Sequence, residues 1–281
     1  MLAAANAHRI AGQSSRANLD EDEELSPEMS SAFPTPSSMA SSTFTCTMNP
    51  PVTRKLEEIS AIFIHNNVAH GVCDGLVETN SVVFLTNIKV NDRTIYEVLV
   101  SKSHPNSLLF KSTNGLLGDQ EINNATRFLL ESTSLKEVII LDGLVAAKFI
   151  PHNDNSGHET TIENLRVIRT KSFDRSEWLE QVNVGNSYGT SFLEEGNIVA
   201  GCTASIMCAC DVRNIPALAL FSLREAAFDI RAAKRFEAYW QIFCSKFLLS
   251  DGQLIDAPSA HVYNNLRKND PFMLSTETLY T

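Results

Sequence analysis

The sequence predicts an α/β protein, a three-layer α/β/α sandwich, and three observations lead to that class. Short β-branched runs recur from residue 59 onward, and apolar residues at helical spacing separate some of them. A long apolar segment rich in small residues then precedes a further strand-like run, the pattern of a helix lying close on a sheet.

Residues 1–54 stand apart from that pattern. They are dominated by Ser, Ala, Thr, Pro and Asn and carry the acidic run Asp20-Glu21-Asp22-Glu23-Glu24. So little apolar surface cannot offset the entropy lost on ordering, so a disordered tail is expected. The acidic run reads as a solvating charge block in preference to a docking site for a basic partner.

A folded domain is expected over residues 55–268. Ile59 to Ile64 is the first β-favouring run, closed by the polar cluster His65-Asn66-Asn67. Ser81 to Thr86 and Thr94 to Val100 are two more strands, with Asn91-Asp92-Arg93 as the turn between them. Ile122, Ala125, Phe128 and Leu129 mark a helix between Asp119 and Ser134. Lys136 to Leu141 then reads as a buried strand closed by Asp142-Gly143, and Leu165 to Thr170 as another after a polar loop over 152–160.

Asn197 is the expected cap of an apolar helix running to Val212, followed by the strand Ile215-Pro216-Ala217-Leu218-Ala219-Leu220-Phe221. Ala200, Gly201, Ala204, Ser205 and Ala209 would let that helix approach the sheet, and Pro216 sits near the strand start, where a missing donor is tolerated. Arg224 to Leu249 has the spacing of an amphipathic helix, and residues 269–281 are expected to be a flexible tail in which Ser275-Thr276-Glu277-Thr278 suits a polar tether.

Composition excludes several functions. With a formal net charge of −10 the chain repels phosphate backbones, so nucleic acid is not an expected partner. No apolar stretch reaches the ~18 to 20 residues of a membrane span, and the N-terminus lacks a signal-peptide core. Cys46, Cys73, Cys202, Cys208, Cys210 and Cys244 show no zinc-ligand spacing, which fits a reduced, cytoplasmic compartment. The histidines lack the spacing of a zinc helix, so neither metal nor cofactor is expected.

The enzyme motifs fare no better. Gly201-Cys202-Thr203-Ala204-Ser205 does not match a nucleophile elbow in glycine spacing or serine position. Ser205 reads as a packing residue, and the cysteines of this helix as core thiols without a cationic neighbour. His65 and His70 follow a core strand, where α/β enzymes often place catalytic groups, but their spacing reads as turn and helix-start residues. Gly115-Leu116-Leu117-Gly118 lacks the lysine and spacing of a phosphate loop.

The segment Leu193-Glu194-Glu195-Gly196-Asn197-Ile198-Val199, with Asn214-Ile215-Pro216-Ala217-Leu218-Ala219-Leu220, resembles the proteasome assembly chaperone 1 family. The acidic N-terminus and the early strand followed by Asn66-Asn67-Val68-Ala69 are similar too. Members end in a hydrophobic residue, a tyrosine and one more residue, and this chain reads Leu279-Tyr280-Thr281.

The resemblance implies a phosphorylase/hydrolase-like fold and a non-enzymatic role. The implied partners are proteasome assembly chaperone 2, as a heterodimer, and the proteasome alpha subunits. Leu279, Tyr280 and Thr281 would dock between alpha subunits, a carboxylate pairing with a lysine while the Tyr and Leu side chains bury against the pocket walls. The implied location is the cytoplasm, with the nucleus and the endoplasmic reticulum left open. The alternative is a nucleoside phosphorylase-like enzyme, but the acidic residue such enzymes place on the helix to hold the sugar is absent between Ile198 and Cys210.

Overall fold

The computed structural model describes residues 45–52, 56–65, 81–113, 118–150, 165–173 and 190–225, with Ala232, Arg235, Phe236, Tyr239, Ile242 and Phe243; all belong to the unit Phe44–Thr281. The strands are β1 (Cys46–Asn49), β2 (Leu56–Ile64), β3 (Val82–Val90), β4 (Arg93–Ser101), β5 (Ser107–Ser112), β6 (Thr133–Val145), β7 (Leu165–Arg169), β8 (Thr190–Phe192) and β9 (Ala217–Arg224). They form one sheet of order β1-β3-β4-β5-β2-β6-β9-β7-β8. Two α-helices, α1 (Asp119–Ser132) and α2 (Gly201–Val212), and a short 3-10 turn (Ala146–Lys148) complete the described elements.

The middle of the sheet is parallel: β2 runs beside β5 and β6, and β6 beside β9. The β1-β3-β4-β5 side is antiparallel, and β7 returns antiparallel to β9. Asn91 and Asp92 join β3 to β4 with φ of 48° and 64°, the left-handed pair that a tight hairpin turn demands and that Asn and Asp tolerate.

Alternation sorts the central strands into two faces. Ile59, Ala61 and Phe63, Leu108 and Phe110, Val138 and Ile140, and Ala217, Ala219 and Phe221 form one core with Ala125 and Leu129 of α1 and Ile206, Met207 and Cys210 of α2. The in-between residues, Ile62, Ile64, Leu109, Ile139, Leu141, Leu218 and Leu220, are buried as well, so the sheet is the middle layer of the predicted sandwich. Each such side chain contributes about 1.5–3 kcal/mol by leaving water.

Several elements differ from expectation. Cys46–Asn49, counted with the tail by composition, pairs with β3 because backbone hydrogen bonding to an edge asks little of side chains. β5 has no strand signal of its own, because its apolar run is only Leu108-Leu109-Phe110, bounded by Ser107 and Lys111. Arg224 ends β9 instead of opening a helix. Beyond it, Ala232, Phe236, Tyr239 and Phe243 are buried at the expected spacings of three and four.

Asn197 does not cap α2, which starts at Gly201 after Ala200. Its side chain is engaged elsewhere: Oδ1 accepts from the Ile150 N–H at 2.8 Å, and Nδ2 donates to the carbonyls of Ile150 and Glu194 at 2.8 and 3.0 Å. Gly201, at φ +72°, turns the chain into the helix. The tail before residue 45, the 152–160 loop, most of 224–249 and residues 269–281 lie outside the described residues.

Candidate functional site

The predicted docking residues Leu279, Tyr280 and Thr281 lie outside the described residues, as does His70. Within the described residues a different constellation stands out, at the C-terminal ends of the central parallel strands. In an open parallel sheet these ends are where ligands gather.

Strand parity places its members. His65 follows Phe63 by two residues, and Asp142 follows Ile140 by two, so both lie on the face covered by the helices. Ladder register makes them neighbours: Ile64 pairs with Leu141, and the His65 N–H still donates to the Leu141 carbonyl at 2.9 Å. Tyr96 lies on the same face of β4, two strands away, with the Phe110 ring edge-on to it and Phe63 stacked on Phe110 at 4.5 Å between centroids. The first turn of α2 adds Cys202 and Thr203.

These groups bond to one another. His65 Nδ1 lies 2.6 Å from Thr203 Oγ1, and Nε2 lies 2.9 Å from the Tyr96 hydroxyl. Thr203 Oγ1 lies 2.6 Å from Asp142 Oδ2, while Oδ1 accepts from the Gly143 N–H at 2.7 Å. The Cys202 thiol is an electrostatic neighbour of Tyr96. His65, Tyr96 and Thr203 are buried, and the Asp142 side chain is 19% exposed.

Burial governs the protonation of this cluster. It pushes His65 below the ordinary imidazole value, with the nearby Asp142 carboxylate acting in the opposite sense. It holds Tyr96 well above the usual phenol range, reinforced by Cys202, and raises the Cys202 thiol. The ring and the thiol are therefore neutral near pH 7, which suits holding structure more than attacking a substrate.

The expectation that His65 is a turn residue is thus corrected: it is a buried, doubly bonded member of the core face. Cys210 is core as expected, its thiol pushed up to about 12 by burial, whereas Cys208 is exposed. Ser205 lies beside α1, its hydroxyl donating to Asn123 Oδ1 at 3.1 Å. Asp142 and Thr203 were missed because Asp142-Gly143 looks like a strand-closing turn and Thr203 like a small helix residue. Counting parity from Val138 through Ile140 would have put a carboxylate on a buried face, and that demands partners.

A second polar contact lies on the far side of β9. Arg166 of β7 donates from Nε to both Glu194 oxygens, at 2.8 and 3.0 Å, and its guanidinium lies 5.0 Å from the Phe149 ring centroid. Both side chains are buried, at 1% and 7% exposure. With the Asn197 bonds to Ile150, this pair fastens the 193–199 segment to β7 and to the chain that follows β6.

No known family profile matches the chain, and no curated protein matches it. Solved structures do. PbaA of Pyrococcus furiosus, an archaeal homolog of proteasome-assembly chaperone, superposes with a TM-score of 0.51 at 12% identity, covering 83% of this chain and 100% of that one. PbaB of the same organism, an archaeal proteasome activator, gives 0.52 at 11% identity over 83% and 98%. At such identities the likeness establishes the fold.

Proposed function

We propose that this chain is a non-catalytic proteasome assembly chaperone that works as a heterodimer with proteasome assembly chaperone 2. Leu279, Tyr280 and Thr281 dock between proteasome alpha subunits and favour formation of the alpha ring. The observation that carries this reading is the shared fold, which spans 83% of the chain and the whole of an archaeal homolog of proteasome-assembly chaperone. The 193–199 segment supports it: Glu194 and Asn197, which belong to the family-like stretch, are the residues that fasten that segment. Exposed Ile150, Phe192 and Ile198 add apolar surface of the kind a protein partner covers.

A nucleoside phosphorylase-like enzyme is the second reading, favoured by one observation: an imidazole and a carboxylate at the ends of β2 and β6. Thr203 stands between them and bonds to both, which favours the binding role. Coexpression with the partner chaperone and alpha subunits tests the choice. Copurification of alpha subunits with the pair, without release of base from nucleosides, is expected; base release abolished by Asp142→Asn would favour the enzyme.

A further inference from the structure

The buried cluster has a direction, and one proton count fixes it. Thr203 has a single hydroxyl proton but two polar neighbours at 2.6 Å, His65 Nδ1 and Asp142 Oδ2. A carboxylate oxygen cannot donate, so the Thr203 proton goes to Asp142. Thr203 Oγ1 must then accept from His65, which places the ring proton on Nδ1. The other nitrogen, Nε2, is left as an acceptor, and the Tyr96 hydroxyl at 2.9 Å donates to it. The chain runs one way: Tyr96 O–H to His65, His65 Nδ1–H to Thr203, Thr203 O–H to Asp142.

We infer that Asp142, Thr203, His65 and Tyr96 form a directional hydrogen-bond chain that pins the first turn of α2 to β2, β4 and β6, and that a second proton on His65 loosens the pin. Asp142 sets the direction, because reversing any link would aim a proton at no acceptor or leave one unused. The elements joined are distant in sequence: Thr203 is 138 residues from His65 and 61 from Asp142. At the α2 entry, Ala200 offers no side-chain cap, so these bonds do the anchoring.

Protonating Nε2 removes the acceptor for Tyr96. The phenol then faces a donor in place of an acceptor, and the ring becomes a cation at a largely buried site. The titratable groups facing the ring among the described residues are Tyr96 from β4, Asp142 from β6 and Cys202 from α2. Of these, Asp142 attracts the cation, and at 4.0 Å from Nδ1 it offsets part of the burial cost. The sign follows: below the unfolded imidazole value of ~6.5 the unfolded chain takes up a proton that the folded chain resists, so stability falls as pH falls.

The test is long-range 1H–15N spectroscopy of the full chain carrying 15N-labelled histidine. His65 is expected as the neutral Nδ1–H form at pH 7.5, the reverse of the form that free imidazole side chains favour in water. Asp142→Asn is the decisive variant. The Gly143 N–H keeps oxygen at the Oδ1 position, so the amide nitrogen faces Thr203 and donates. Thr203 then donates to His65 Nδ1, and the ring proton moves to Nε2. Thr203→Ser, which keeps the hydroxyl, retains the Nδ1–H form.

An Nε2–H ring in the native chain, or an unchanged form in Asp142→Asn, overturns the direction. Thermal melts read the switch: the native melting temperature is expected to drop between pH 7.5 and 5.5, with a smaller drop in His65→Asn, which keeps a donor toward Thr203 but cannot be protonated. Equal drops in both chains overturn the pH-sensitive pin.

Discussion

The two buried polar contacts hold their segments by opposite means. At the α2 entry, His65, Thr203 and Tyr96 are neutral and pass one proton each toward Asp142. At the β7 side, Arg166 and Glu194 meet as full charges, with almost no solvent on either. A neutral chain tolerates the loss of one link at the cost of an unmet hydrogen bond, whereas a buried ion pair fails as a whole when one charge goes. The pH-sensitive element is the histidine cluster, because an imidazole changes charge near neutral pH, and the mutation-sensitive one is the ion pair.

Stability measurements separate the two contacts. Arg166→Ala strands the Glu194 carboxylate and is expected to cost about 3–5 kcal/mol in urea unfolding, the largest effect of the set. The pair Arg166→Met with Glu194→Leu should recover much of it, since no charge then remains buried. Thr203→Val keeps the shape but leaves His65 Nδ1 and Asp142 Oδ2 facing a methyl group, for an expected loss of about 1–3 kcal/mol by the same assay. Should the two losses prove equal, the charged and neutral contacts would not differ as argued.

Gly201→Ala is the smallest of these changes. An added Cβ meets nothing within 4 Å, so the cost is that of the left-handed φ alone, about 1–2 kcal/mol. Calorimetry showing no change would mean that the α2 entry relaxes to an ordinary φ and that the pin does not fix its first turn.

Much of the fold was legible because apolar periodicity and burial coincide. Ile59 to Ile64, Lys136 to Leu141 and Ala217 to Phe221 read as strands because both faces of the central sheet are covered, leaving near-continuous apolar runs. β1 was illegible for the converse reason: Cys46–Asn49 lies at a sheet edge, held by backbone pairing that side chains do not announce. The polar cluster was half legible. His65 attracted notice by its place after a strand, but Tyr96, Asp142 and Thr203 come together only through strand order and helix docking, which local pattern does not encode. Asn197 misled because an Asn before an apolar run is a good cap signal, and here tertiary bonds to Ile150 claim the side chain first.

The proposed docking residues at the end of the chain test the proposed function most directly. Alpha-subunit capture should be compared between the full chain and one lacking Leu279, Tyr280 and Thr281, each coexpressed with the partner chaperone. The proposal predicts lost or clearly weakened capture by the shortened chain, with heterodimer and melting temperature unchanged. Equal capture by both chains would contradict it and move alpha-subunit binding onto the folded domain.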